Sequence, residues 1–225
     1  MKIAVLDDYH ELAVSMADWS RIKADHDVMV FKEHLGSREN VIAELADFDI
    51  LGIMRERTLF DRATLEKLPN VKLIATTGMR NAAIDMDYCN ERGIAVVGTG
   101  GSAQATPELA WGHILSLARH IPTENGRMRE GSWITTLGID LAGKTLGIVG
   151  LGRLGGMMAK IGGAFGMRVI AWSQNLTDEA AAEYGAQRVG KHELFKQSDF
   201  ITIHYKLSER SKGIVGAAEI EMMKP

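Results

Sequence analysis

The chain has 225 residues, a formal net charge of −3, 46% hydrophobic and 24% charged residues. This is enough for two α/β domains of ordinary size, and the charge gives no reason to expect a nucleic acid or an anionic membrane as partner. Cys89 is the single cysteine, which excludes an intrachain disulfide and a thiolate metal cluster.

Met1 leads straight into the apolar run Ile3-Ala4-Val5-Leu6 with no charged leader, and no window approaches the roughly eighteen apolar residues of a membrane span, so a cytoplasmic protein is expected. Short apolar runs then alternate with helical patterns. Lys2–Leu6, Asp27–Phe31, Asp49–Met54, Lys72–Thr76 and Ile94–Val97 read as strands, and stretches around 11–23, 39–46, 61–67 and 85–92 as helices. The strands are rich in Val, Ile and Leu and do not alternate with polar residues, as when both faces of a sheet are covered. Repeated β-α-β order predicts a parallel, doubly wound sheet closing a first domain over 1–100.

Gly98-Thr99-Gly100-Gly101 opens into a long helical pattern. Thr106 reads as its N-cap and Pro107 as its first helical residue, Ala110, Ile114, Leu117, Ala118 and Ile121 follow helical spacing, and Pro122 ends the pattern. Such a helix between two βα arrays is expected to cross from one domain to the next. A second series follows within 101–225, with strands at Thr145–Val149, Arg168–Trp172, Gln187–Val189 and Phe200–Ile203. Helices are predicted near 153–165, 178–184, 191–196 and 217–223. The predicted fold class is therefore α/β, two doubly wound parallel-sheet domains.

Gly150-Leu151-Gly152-Arg153-Leu154-Gly155 is a G-x-G-x-x-G between a strand and a helix. In that context Gly150 makes the tight turn, Gly152 lets backbone N–H groups approach a pyrophosphate, and Gly155 packs helix on strand. The bland alternative is a packing turn, the reading given to Gly156, Gly162, Gly163 and Gly166. An acidic residue about twenty positions on usually holds the ribose diol of NAD. Here the strand runs into Ser173-Gln174-Asn175, which is neutral, and no arginine replaces the acid. The cofactor is NAD or NADP, leaning to NAD because nothing nearby is built for a phosphate.

Leu141 to Gly155 closely resembles the cofactor-binding stretch of the D-2-hydroxyacid dehydrogenases. Arg129-Glu130-Gly131-Ser132-Trp133 is similar to that family's Arg-x-Gly-x-Trp, Ser198-Asp199 to His204 to its Ser-Asp-x-x-x-x-His, and Met223-Lys224-Pro225 to its Met-Lys-Pro. The resemblance implies a flavodoxin-like substrate domain followed by a Rossmann NAD(P)-binding domain lacking its last strands. It implies substrate contacts at Arg55 and at the loop Gly78, Met79 and Arg80, where Arg80 replaces a family glycine and has Asp85 as an alternative partner. Cofactor contacts are implied at Gly150, Gly152, Arg153, Leu154, Gly155, Ser173, Gln174, His204, Tyr205, Lys206 and Thr106. His204 reads equally as a cofactor-side hydrogen-bonding group and as a structural histidine, and Lys206 stands where many relatives have proline. The remaining histidines show no metal-ligand spacing.

The family's catalytic arginine, glutamate and histidine lie beyond its Met-Lys-Pro, so no catalytic residue is expected within these residues, and a complete member would run roughly a hundred residues further. The expected function is oxidation of a D-2-hydroxy acid or reduction of its 2-keto acid with NAD(P), in a homodimer. A non-catalytic dinucleotide-binding sensor or scaffold, and a different Rossmann enzyme such as a formate dehydrogenase, are the alternatives.

Overall fold

Parallel strands build two separate sheets. The computed structural model describes all 225 residues, and the chain divides into two units, Met1–Gly101 and Ser102–Pro225.

The first unit runs β1 (Lys2–Val5), α1 (Ser20–Asp25), β2 (Asp27–Val30), α2 (Arg38–Leu45), β3 (Ile50–Ile53), α3 (Arg62–Leu65), β4 (Leu73–Thr76), α4 (Met86–Arg92) and β5 (Ala95–Gly98). Its strand order is β2-β1-β3-β4-β5, all parallel. The order reverses between β1 and β3, and the carboxyl ends of strands at such a switch are where doubly wound sheets take ligands. Its helices begin where short polar side chains satisfy otherwise unpaired N–H groups. Ser37 accepts from Asn40 N–H, Asp61 from Thr64 and Asp85 from Tyr88, each cap stabilising by about 1 kcal/mol. Leu51, Phe60, Leu65, Leu68 and Ile74 are fully buried in one apolar core.

The second unit runs α5 (Ala105–Arg119), α6 (Ile121–Arg129), β6 (Thr145–Val149), α7 (Arg153–Ala164), β7 (Arg168–Trp172), α8 (Asp178–Ala182), β8 (Gln187–Arg188), α9 (Lys191–Gln197), β9 (Phe200–Ile203) and α10 (Ala217–Glu221). The order is β8-β7-β6-β9, all parallel, which is a Rossmann arrangement with its switch between β6 and β9. Every residue of β6 is buried. One face of the sheet carries the cluster of Trp111, Leu146, Ile148 and Met158, and the other that of Val149, Ile170, Leu194 and Phe195. No helix is long and apolar enough to cross a membrane.

Three expectations about helices are corrected. The stretch 11–23 is turns until α1 begins at Ser20. The Asp8 carboxylate takes the N–H groups of Leu12 and Ala13, both at 3.0 Å, and Glu11 sits at φ 56°. A side chain that captures backbone donors in this way competes with helix formation. Thr106 is not the N-cap, since α5 starts at Ala105 after Gln104. Pro122 does not close the helical pattern. His120, at φ 52°, ends α5 and begins α6, and Pro122 lies in the first turn of α6, where a missing N–H is tolerated. Among the glycines read as packing contacts, Gly163 faces open space and Gly166 occupies a left-handed turn, whereas a Cβ at Gly156 or Gly162 would strike Tyr184 or Leu146.

Candidate functional site

The strand β6 delivers the chain into the turn at Gly150, where φ is +99° and a Cβ would lie 2.8 Å from the His204 backbone. That conformation and that proximity both require glycine. Gly155 is buried in the first turn of α7 against the Gly150 carbonyl, so strand, turn and helix pack with no room for a side chain. Gly152 differs, because a Cβ there would meet nothing within 4 Å. Its backbone faces an open cleft.

That cleft has a volume of about 420 Å³ and is lined by Gly150, Leu151, Gly152, Ser173, Asn175, Leu176, Ala180, His204, Tyr205 and Lys206. It therefore gathers the glycine loop, the end of β7 and the end of β9 at the switch point. The first turn of α7 contains no acidic residue, and Gly152 supplies no side-chain cap. Gly156 is the first residue to bond back, to Gly152 O at 2.8 Å, which leaves the N–H groups of Arg153, Leu154 and Gly155 free for a ligand. Free donors, the positive end of a twelve-residue helix and an open glycine backbone fit a pyrophosphate.

The rim is held by hydrogen bonds. Ser173 Oγ accepts from Leu151 N–H at 2.9 Å, tying β7 to the loop. Tyr205 stacks on Trp172, centroids 6.1 Å apart, and its hydroxyl accepts from Gln174 N–H at 3.3 Å. His204 Nε2 lies 2.8 Å from Thr202 Oγ1. Burial pushes the imidazole below its usual range, favouring the neutral ring. His204 is thus both internally satisfied and part of the cleft wall. Arg153 is exposed and Leu154 half-buried at the start of α7, and neither lines the cleft. Thr106 lies in the first turn of α5, also outside the lining. Of the neutral Ser173-Gln174-Asn175, Ser173 and Asn175 line the cleft and Gln174 does not, whereas Leu176 and Ala180 line it without any signal in the sequence beyond following Ser173.

A second set of candidates meets in the first unit. Arg55 follows β3 at φ 53°, its N–H donating to Thr77 Oγ1 at 3.1 Å. Gly78 follows β4 at φ +91°, and any Cβ on it would collide with the Arg55 guanidinium. The two are therefore in direct apposition at the carboxyl ends of neighbouring strands. Asn81 donates to the Arg55 carbonyl at 2.5 Å and to Thr76 Oγ1 at 3.0 Å, fixing both loops. The Arg55 side chain is 58% exposed, its one ion pair a loose contact to Glu56 at 3.6 Å. Arg57 is committed elsewhere, donating to the Asp7 carbonyl at 2.7 Å and lying over the Tyr9 ring. Met79 and Arg80 are exposed on the loop after Gly78, and Arg80 makes no ion pair with Asp85, which caps α4 instead.

The other motif residues have structural work. Gly147 in β6 leaves the space that Ser198 fills, and Asp199 accepts the Thr145 N–H at 2.7 Å while pairing with Lys224 at 2.9 Å.

Residues 111–225 match the family described as D-isomer specific 2-hydroxyacid dehydrogenase, NAD binding domain. Over its whole length the chain is 33% identical to a D-3-phosphoglycerate dehydrogenase of Methanocaldococcus jannaschii, covering 42% of that protein. Over 73% of its length it is 38% identical to a glyoxylate reductase of Thermococcus litoralis, covering 53% of it. The chain thus spans about half the length of these curated relatives. Among solved structures, a phosphoglycerate oxidoreductase from Vibrio cholerae superposes with a TM-score of 0.90 at 36% identity, over 100% of this chain and 72% of that one. A phosphate-ready glycine loop at the switch point of the β8-β7-β6-β9 sheet, within a stretch matching the NAD-binding domain, places this chain in the D-isomer-specific 2-hydroxyacid dehydrogenase family.

Proposed function

We propose that the protein to which these residues belong moves a hydride between NAD(P) and a small D-2-hydroxy acid or its 2-keto form. The observation that carries this reading is the cleft at Gly150–Gly155, whose free N–H groups and open Gly152 backbone suit a dinucleotide pyrophosphate. The substrate class comes from relatives named as D-3-phosphoglycerate dehydrogenase, glyoxylate reductase and hydroxypyruvate reductase.

A bound nicotinamide dinucleotide supplies the hydride acceptor or donor. The chain's own residues bind and orient. Gly150, Gly152 and Gly155, with the N–H groups of Arg153 and Leu154, hold the pyrophosphate. Ser173, Gln174, Tyr205 and Lys206 border the adenosine side, and neutral His204 offers a hydrogen bond on the cofactor side. Thr106, in the first turn of α5, lies outside the cleft lining and is given no contact. Arg55, laid on the Gly78 backbone and otherwise barely engaged, grips the substrate carboxylate through its planar fork, with Met79 and Arg80 beside it. His204 is not assigned as proton donor, because Nε2 is engaged with Thr202 and no carboxylate orients the ring.

Self-association belongs to the same reading. Trp133, Ile134 and Leu137 are 73%, 66% and 89% exposed. A monomer in sedimentation at high concentration would remove that part.

The test is NADH and NADPH oxidation by the natural gene product with glyoxylate, hydroxypyruvate and pyruvate. Turnover is expected with at least one of them. Arg55→Met should lower kcat/KM about ten- to hundredfold, the range of a lost charge-assisted hydrogen bond. NADH binding with no turnover on any of these acids would replace this reading by that of a non-catalytic binding module.

A further inference from the structure

We infer that the cleft selects the 2′-phosphorylated dinucleotide, and that Lys206 is the residue that holds the 2′-phosphate. The inference rests on the dinucleotide reading of the cleft and concerns which dinucleotide it takes.

The first observation is a missing repulsion. A carboxylate at the end of the second Rossmann strand grips the ribose diol of NAD and repels a 2′-phosphate. Here β7 ends in Ser173-Gln174-Asn175, and no Asp or Glu lines the cleft. Ser173 carries no charge in its place, and its hydroxyl oxygen already accepts the Leu151 N–H at 2.9 Å.

The second observation is a cation in the same place. Lys206 lines the cleft together with Ser173 and Asn175, and it is the one Lys or Arg among the lining residues. Its side chain is exposed and makes no salt bridge in the chain. The sequence places it 33 positions after Ser173, but the fold brings the two segments together, as the 3.3 Å bond from Gln174 N–H to Tyr205 Oη shows.

The third observation is that Lys206 is presented by a built loop. The Tyr205 ring stacks on Trp172, at 21° between planes. Ser211, buried to 5% exposure, donates to the Lys206 carbonyl at 2.7 Å and accepts the Ser208 N–H at 2.8 Å. A proline at position 206 would give neither the cation nor its reach.

The acids beside the cleft-lining segments make no ion pair with Lys206. Asp178 faces Arg188 at 3.7 Å, Glu179 is hydrogen-bonded at the start of α8 through its own backbone and the Thr177 hydroxyl, and Glu209, three residues on, forms no salt bridge. An ammonium with three rotatable donors and no competing partner is suited to a phosphate monoester, which carries about −1.5 to −2 charge at neutral pH.

The experiment is calorimetric titration of the 225-residue chain with NADH and NADPH at low and at moderate salt. NADPH should bind several-fold more tightly than NADH, and its affinity should fall the more steeply with salt. Lys206→Met should weaken NADPH about tenfold more than it weakens NADH, and Lys206→Arg should restore most of that difference. NADPH binding no tighter than NADH in the parent, or equal losses for both in Lys206→Met, would overturn the inference while leaving the dinucleotide site standing. Failure of both dinucleotides to bind would instead overturn the reading of the cleft, and this inference with it.

Discussion

Asp7 shows how much of the first unit's candidate site hangs on a residue that touches no ligand. It follows β1 at φ 57° and is 2% exposed. Its carboxylate accepts from the Thr58 hydroxyl at 2.8 Å and from Tyr9 at 3.3 Å, and lies 3.1 Å from His34 Nδ1. Its carbonyl receives the Arg57 guanidinium. The turn that carries Arg55 is thereby bolted to the end of β1. Asp7→Asn keeps the shape but turns one acceptor into a donor aimed at existing donors. Chemical denaturation should show a loss of about 1–3 kcal/mol, the penalty of an unsatisfied buried polar group. An unchanged midpoint would mean that the network is ornamental. None of this was legible beforehand, because residues 7, 9, 34, 57 and 58 meet only in the fold. The expectation for Arg55 rested on resemblance, and in the fold Arg57 is held by Tyr9 and Asp7 while Arg55 is left exposed.

At the scale of elements, what was readable was what is local. The glycine loop, the strand before it and the helix after it occupy one continuous stretch, so spacing alone placed them. The β strands were equally plain, since parallel strands covered on both faces leave uninterrupted apolar runs. The misread helix at 11–23 failed because the Asp8 side chain intervenes, and α6 was lost because Pro122 starts a helix as readily as it stops one. The strap after α6 was not foreseen at all. Glu124 accepts the hydroxyls of Thr135 and Thr136, each at 2.7 Å, and the Thr135 N–H. These bonds, the Thr135 hydroxyl first, hold its carboxyl down to about 2. They fix a segment in which Ile134 adopts φ 47°, a conformation disfavoured for a β-branched residue. Since the folded value lies below the ordinary 4.5, the stabilisation is complete above that pH and disappears as pH falls through about 2. Trp133 fluorescence, taken as the difference between the parent and Trp133→Phe, should therefore stay constant from neutral pH to about 4.5 and change only below it. Glu124→Gln should show the acid-like signal already at neutral pH. A transition in the parent near pH 6 would contradict the assignment of the strap to Glu124.

For the whole molecule, the account divides binding from chemistry. The second unit holds a cleft whose every wall comes from residues 150–206, so dinucleotide binding is expected of this chain by itself. Its one cleft histidine has a threonine and no carboxylate behind it, so His204 is expected to bind rather than to relay a proton. The central claim is that the glycine loop cradles a pyrophosphate, and Gly152 allows it to be tested apart from folding. A side chain there meets nothing within 4 Å and the residue's φ of −92° suits any amino acid, so Gly152→Val should melt with the parent while its branched side chain fills the approach to the backbone N–H groups. Titration of NADH into the two chains is the direct measurement. The account predicts binding to the parent and a loss of about tenfold or more in Gly152→Val at an unchanged melting temperature. Equal affinities in two chains of equal stability would contradict it.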